Sequence, residues 1–277
     1  MMFNTFDTLK EIKENSRQME EGGSRFLRQR NNSPTFTIIT VVLNNEKNLE
    51  ETIKSVIDQK FRDFEYIIID GGSVDNSLNI IKKYSDKIDY WVSEKDFGIY
   101  DAFNKGMTLA KGNFIGIINS DDKYLPDSLE IISKYVSKHP NIDFIFGSVK
   151  KHWGILHGYK PKKINYSWGF YSSHSTGFFI KRDSAVKVGF YNTKYKYHAD
   201  YDYFYRMIVK NKMKGIATKK EEVVGIFRRG GFSSTIKFWD LFLEEIKIRL
   251  DNKQNILIVA VIFLYKFLRN MNKIFKY

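Results

Sequence analysis

Between Phe36 and Phe146 the chain switches repeatedly between two apolar patterns, and that switching limits what it can fold into. Short, β-branched runs read as strands: Phe36–Leu43, Tyr66–Ile69, Tyr90–Val92, Phe114–Ile118 and Asp143–Phe146. The segments between them carry apolar residues at helical spacing. They are Glu46–Asp58, with Leu49, Ile53, Val56 and Ile57, then Asp75–Tyr84, Ile99–Ala110 and Asp127–His139. Strands alternating with helices of roughly 10–13 residues form βαβ units, which build a parallel sheet covered by helices. The expected class is α/β, with a mostly parallel, Rossmann-like sheet.

Beyond residue 147 the pattern weakens. Aromatic-rich loops are expected to Ser173, then a strand at Gly177–Ile180, a helix at Tyr201–Lys212 and short strands at Gly215–Thr218 and Val223–Phe227. Three segments follow. Residues 1–34 form a polar extension, with a helix from Thr5 to Glu21 and a linker ending at Pro34. Residues 35–235 form the main domain, divided into halves at 35–147 and 148–235. Residues 236–277 form a basic, apolar, helical tail.

Charge separates the halves. Residues 1–149 hold 19 basic and 23 acidic side chains, whereas 150–235 hold 18 and 5. A near-neutral front and a basic back suggest two jobs, the second facing phosphates or an anionic surface. There is no cysteine, which removes disulfide and thiolate chemistry and fits a reducing compartment. Met1 to Arg30 lacks the apolar core of a secretory signal, and the longest apolar run, Ile256–Tyr265, is ten residues. A cytoplasmic chain, peripheral on the inner face of the cell membrane, is expected.

Three strands end in polar residues: Asn44 and Asn45, then Asp70, then Asp121 and Asp122. Open α/β sheets bind ligands beyond the carboxyl ends of their strands. Paired carboxylates there suit a hard cation, since Mg²⁺ is held by one or two carboxylates plus substrate phosphates. A sugar nucleotide with Mg²⁺ or Mn²⁺ supplies hydroxyls, base N–H groups and a metal-bridged diphosphate. The plainer reading of Asp121-Asp122 is a turn before Pro126. No G-x-G-x-x-G or G-x-x-x-x-G-K-[ST] is present. Asp96-Phe97-Gly98 mimics a kinase metal motif without that family's other segments, and reads as coincidence. The histidines show no zinc spacing.

The order of Phe36-Thr37-Ile38-Ile39-Thr40-Val41-Val42-Leu43-Asn44, Ser55-Val56-Ile57-Asp58-Gln59, Tyr66-Ile67-Ile68-Ile69-Asp70-Gly71-Gly72-Ser73-Val74-Asp75 and Asn119-Ser120-Asp121-Asp122 resembles the family 2 glycosyltransferases of GT-A fold. The stretch Ile88 to Glu94, continued by Asp96 to Gly106, is similar to a bacterial subgroup that builds surface polysaccharides. The likeness spans roughly residues 35–232.

The resemblance implies an inverting, metal-dependent glycosyltransferase. Thr40 and Asn44 would line the base and ribose pocket, and Asp70 would sit against the base. Relatives often have Asp-Asp where this chain has Asp70-Gly71. Asp121 would meet the ribose or the metal-bound diphosphate, and Asp122 would ligate the metal. Asp200, in His198-Ala199-Asp200-Tyr201-Asp202, matches the general base. A carboxylate in that role takes the proton of a sugar hydroxyl as it attacks; the alternative is a helix N-cap. Asp202, two residues on, should point elsewhere on a helix. Asn104 is a diphosphate contact or a structural hydrogen-bonder. Arg228 and Arg229, before Gly230-Gly231, suit closure over a diphosphate or a solvated turn. His174 and His198 are weaker substrate candidates.

The implied partners are a nucleotide diphosphate sugar, with a UDP-sugar favoured, and a glycan or lipid-linked acceptor. Ile256–Leu268, with Lys266, Arg269, Lys273 and Lys276, fits a segment lying in an anionic membrane interface. Packing on the domain or on a second copy, as a homodimer, is the other reading. Two rival functions stand. A sugar-phosphate nucleotidyltransferase would want a Gly-rich loop after the first strand. A nucleic-acid-binding module would leave the strand-end carboxylates unexplained, so no nucleic-acid partner is expected.

Overall fold

The computed structural model describes residues 19–26, 32–166, 171, 175–228 and 237–271. In chain order the strands are β1 (Glu20–Gly22), β2 (Phe36–Val42), β3 (Phe64–Asp70), β4 (Tyr90–Ser93), β5 (Phe114–Asn119), β6 (Lys123–Tyr124), β7 (Phe144–Phe146), β8 (Ser148–Lys151), β9 (Gly154–Leu156), β10 (Phe178–Lys181), β11 (Gly215–Ala217) and β12 (Val223–Ile226). The helices are α1 (Glu46–Ile57), α2 (Ser77–Lys83), α3 (Ile99–Leu109), α4 (Ser128–Lys138), α5 (Arg182–Val188), α6 (Ala199–Tyr205), α7 (Phe238–Asp251) and α8 (Ile256–Arg269). An eight-stranded sheet has the order β1-β4-β3-β2-β5-β10-β7-β11, and a four-stranded sheet the order β6-β12-β8-β9.

Every residue of β2 and β3 is buried, as strands covered on both faces must be. One apolar cluster joins Leu49, Ile53 and Ile132 to Ile38 and Ile68. The other joins Phe103, Tyr191 and Phe204 to Ile39 and Ile67. The period-2 alternation of strand side chains sends neighbouring residues to opposite clusters. A Cβ at Gly106 would lie 2.5 Å from Ile39 Cγ2, so glycine lets α3 lie close on β2.

β4-β3-β2-β5 run parallel, as the sequence implies. Their carboxyl ends share one edge, with Val42 opposite Asp70 and Asp70 opposite Ser93. β10 departs from that pattern, being antiparallel to β5 and β7. Antiparallel neighbours need no helical crossover, which explains why no helix period precedes β10.

Other departures are local. Glu20 and Glu21 are not the end of a helix. They form β1, which pairs with the edge of β4 and is held nearby by an Arg25–Glu65 ion pair of 2.6 Å. The rest of the expected N-terminal helix lies outside the described residues. The expected loop after residue 147 contains the β8–β9 hairpin, and α5 follows β10 directly. The tail is two helices, α8 being capped by Asn255, whose side chain accepts from Leu257 N at 2.9 Å.

Candidate active site

At the shared strand edge, several polar side chains serve the protein itself. Thr40 is fully buried and shares a 2.9 Å hydrogen bond with the Tyr66 hydroxyl. It faces the core rather than a base pocket, because its position on β2 turns inward. Asn44 has φ 51° and its Oδ1 accepts from Val74 N at 2.8 Å. Its side chain ties the turn after β2 to the turn after β3 instead of reaching for ribose. Asp70 is fully buried. It accepts from Ser73 N at 3.1 Å, Ser73 Oγ at 2.5 Å and Ser93 Oγ at 2.6 Å. These bonds close the turn after β3 and spend Asp70 on it.

The carboxylate that stands at this turn belongs to Asp96. A Cβ at Gly71 would lie 2.3 Å from Asp96 Oδ2. Asp96 therefore fills the space that a second aspartate at position 71 would claim. Its Oδ1 accepts from Gly98 N at 3.0 Å, and burial raises its pKa. The adjoining Phe97 is 90% exposed, with its ring in solvent. Asp96-Phe97-Gly98, set aside as coincidence in the sequence, is part of the edge. Glycine at the position where relatives carry aspartate was the signal for it.

Beyond β5 the two neighbouring aspartates diverge. Asp122 is buried. Its Oδ1 accepts from Arg228 N at 3.0 Å, and its Oδ2 from Thr176 Oγ1 at 2.7 Å and Ser175 Oγ at 3.4 Å. Burial, reinforced by the charge of Asp121, pushes its pKa up to about 7 against those bonds. Thr52 Oγ1 donates to the backbone carbonyl of Asp122 at 2.6 Å, fixing the turn to α1. Asp121 is half-buried, and burial raises its pKa too. Asn119 Oδ1, two residues earlier, is a buried oxygen with no hydrogen-bond partner.

Among the described residues no group of three His, Cys, Asp or Glu could enclose a metal. The donor set suits a cation completed by a substrate. Asn119 Oδ1 and the Asp121 carboxylate are hard oxygens at the end of one strand, and Mg²⁺ accepts such a partial set when phosphates fill the rest. Both Asp122 oxygens accept from the protein and Asp122 is the more deeply buried, whereas Asp121 is half-buried and the more accessible of the two.

Two other candidates are structural here. Asn104 pairs with the backbone of Tyr191, donating to its carbonyl at 2.9 Å and accepting from its N–H at 2.8 Å. This clamp joins α3 to the chain after α5. The Arg228 guanidinium reaches α1 instead of the edge, bonding Asn48 Oδ1 at 2.5 Å and pairing with Glu51. Arg229 and His174 lie outside the described residues.

Asp200 and Asp202 sit in the first turn of α6 and face different surroundings. Asp202 Oδ2 accepts from Arg206 Nε at 2.9 Å, and its Oδ1 from Asn252 Nδ2 at 2.8 Å. Asp200 is 8% exposed. Its Oδ1 accepts from Tyr201 N at 2.9 Å, with the Tyr100 hydroxyl 3.4 Å away; the Tyr171 hydroxyl lies 3.4 Å from Oδ2. Tyr100 donates to Tyr197 O at 2.8 Å. Tyr100 lies within the Asp96–Gly106 stretch and Tyr171 in an aromatic-rich loop, and neither is marked by the sequence as a partner of Asp200.

One short stretch reaches both acidic centres. Tyr171 touches Asp200, and Ser175 touches Asp122. Four residues of extended chain span at most roughly 14 Å, so the two acidic centres are near neighbours in the fold.

The family description "Glycosyl transferase family 2" matches residues 37–204. The chain belongs to glycosyl transferase family 2. Curated relatives agree with that family. A "PGL/p-HBAD biosynthesis glycosyltransferase" of Mycobacterium bovis is 27% identical over 219 residues, covering 74% of this chain and 81% of the relative. An uncharacterized glycosyltransferase of Methanocaldococcus jannaschii is 29% identical over 237 residues, covering 80% and 81%. In fold, the chain is similar to S. aureus TarS 1-349 in complex with UDP, with TM-score 0.65, 17% identity, and coverage of 85% of this chain and 72% of that one. It is also similar to the mannosyltransferase PcManGT of Pyrobaculum calidifontis in complex with GDP-Man and Mn²⁺, with TM-score 0.60, 15% identity, and coverage of 84% and 70%. The fold is GT-A, and this family 2 chain is a glycosyltransferase. No described helix is long and apolar enough to cross a membrane.

Proposed function

We propose that this glycosyltransferase moves a sugar from a nucleoside diphosphate donor, a UDP-sugar by preference, to a hydroxyl of a glycan or lipid-linked acceptor, with inversion. The acceptor reading places the enzyme in polysaccharide synthesis at the inner face of the cell membrane. The observation that carries the reaction type is the nearness of two acidic centres, Asp121-Asp122 and Asp200, which Ser175 and Tyr171 contact respectively. Neighbours of the same fold hold UDP or GDP-Man with Mn²⁺, which supports a metal-assisted nucleotide sugar here.

Asp200 takes the proton of the acceptor hydroxyl as its oxygen attacks the anomeric carbon. The bond from that carbon to the diphosphate breaks, and the diphosphate leaves with the electron pair. A base on the side opposite the leaving group yields inversion. A divalent cation, if bound with the donor, would supply Lewis-acid stabilisation of the leaving diphosphate. Asn119 Oδ1 and Asp121 would hold it, while Asp122 keeps the turn in shape from behind. Asp96 serves the base: its carboxylate accepts hydrogen bonds only, which suits a ring N–H of uracil or guanine.

The test is a thermal-shift panel of UDP, GDP, dTDP and CMP, with and without Mn²⁺. A ligand that binds only the folded state raises apparent stability. A diphosphate should stabilise the wild type only with the metal, and Asp121→Asn should abolish that dependence while leaving the unliganded Tm in place. Stabilisation by UDP that is equal in EDTA and in Mn²⁺ removes the metal from the reading.

A further inference from the structure

The tail hairpin carries apolar residues on two faces of one helix. The inner face of α8 packs on α7 through Val259 and Ile262, with Phe263 against Phe242 at 5.2 Å between ring centroids. On the outer face Leu257 is 73% exposed, Val261 66%, Leu264 56% and Leu268 63%. Their spacing of four, three and four residues puts them on one stripe. A helix with one packed apolar face ordinarily turns a polar face to water; α8 does not.

We infer that this outer face of α8 is a docking surface for an anionic lipid membrane, on which the helix lies flat. This deepens the membrane part of the proposed function and rests on it only for the acceptor; the surface itself is read from α8. Length argues for lying flat. Fourteen residues span about 21 Å, short of the roughly 30 Å of a bilayer core. Charge argues for an anionic partner. Residues 252–271 contain Lys253, Lys266 and Arg269 and no carboxylate. Lys266 is engaged by Glu245, whereas Lys253, just before the helix, and Arg269, its last residue, stand exposed. Apolar residues flanked by exposed cations match acyl chains beneath anionic headgroups. A second copy is a poorer occupant, because face-to-face packing would bring these cations together with no carboxylate between residues 252 and 271 to meet them.

The test uses the full chain and flotation with phosphatidylcholine vesicles, with and without phosphatidylglycerol. Wild type should float with the anionic vesicles, and added salt should weaken the association. Leu257→Ser/Leu264→Ser/Leu268→Ser should lower binding by on the order of tenfold or more. Lys253→Gln/Arg269→Gln should lower binding to anionic vesicles by roughly fivefold per cation. Because all these side chains are exposed, thermal unfolding and the UDP-induced shift should stay at wild-type values in both variants. Loss of the UDP shift in wild type would bear on the donor reading alone. Flotation of the triple serine variant equal to wild type, or no flotation of wild type at low salt, overturns the inference. So does a wild-type dimer by sedimentation that the serine variant turns into a monomer with unchanged flotation.

Discussion

Asp200 and Asp202 are two residues apart, equally buried in class, and should fail in opposite ways when neutralised. Asp200→Asn keeps the shape of the side chain and an oxygen for Tyr201 N, but it cannot accept the acceptor's proton. Turnover should fall by about 10²–10⁴-fold, equivalent to roughly 3–5 kcal/mol in the barrier. Donor affinity and Tm should change little. Asp202→Asn leaves one oxygen for two donors, so an amide N–H must face either Arg206 Nε or Asn252 Nδ2, and the charge that pairs with Arg206 is lost. The pair is well enclosed, with side-chain exposures of 5% and 20%. Breaking such pairs costs about 3–5 kcal/mol when the stranded charge has no other partner. Arg206 retains the carbonyls of Val188 and Phe190 at 2.5 and 2.7 Å, so the expected cost is lower, about 2–3 kcal/mol. For a chain of this size that lowers Tm by roughly 5–10 °C. Sugar transfer measured well below either Tm, with unfolding followed by circular dichroism, separates the two. Near-normal turnover in Asp200→Asn, with loss of turnover in Asp202→Asn at a temperature where it remains folded, would falsify the assignment of the base.

Two further outcomes follow from individual contacts. Wild type should bind UDP in preference to CDP, because cytosine offers a lone pair at the ring position where uracil offers N–H; Asp96→Asn should narrow that ratio by about tenfold, read by calorimetry, and an unchanged ratio moves base recognition elsewhere. Glu245 bonds Arg249 and Lys266 within the tail hairpin. Burial pushes its pKa up, yet the charges of Lys266 and Arg249 outweigh that and hold it below the ordinary value of 4.5. A depressed carboxylate stabilises the fold above its unfolded pKa and loses that contribution as pH falls through its folded pKa. Tm should therefore drop as pH is lowered below about 4.5, and Glu245→Gln should start lower at neutral pH and show a shallower acid decline.

Much of the nucleotide half was legible because its signals are local. The β2, β3 and β5 runs are buried on both faces, so apolar continuity marked them, and α1 and α3 announced themselves by spacing. What composition cannot give is the direction of a side chain. Thr40 sits on the correct strand but points into the core. Asn104 lies on the correct helix but spends its amide on the Tyr191 backbone. Asp122 stands beside Asp121, and one peptide step decides which of them faces inward. β1 and β8 carry no strand signal, and β10 is legible as a strand but not in its antiparallel direction, for a related reason: each is specified by the partner strand it meets, and three or four residues carry too little pattern to name that partner. Asp96 was hidden by its position, since its role depends on the empty space over Gly71.

The tail is more than an appendage to that site. Glu244 on α7 accepts from the N–H groups of Lys196, Tyr197 and His198, each at 2.7 Å. Asn252, in the turn between the two helices, donates to Asp202. The segment that presents Asp200 is thus held at its start by one helix of the hairpin and in its first turn by the hairpin's bend. Hydrogen bonds to a carboxylate are stronger than neutral ones, and three converging on Glu244 fix the backbone leading into α6. The same hairpin exposes the α8 stripe on its far side. A chain docked by that stripe would hold its general base at a set height above the lipid, where a lipid-linked hydroxyl would stand. Substrate choice would then depend partly on distance from the membrane, in addition to the contacts made by the acceptor itself.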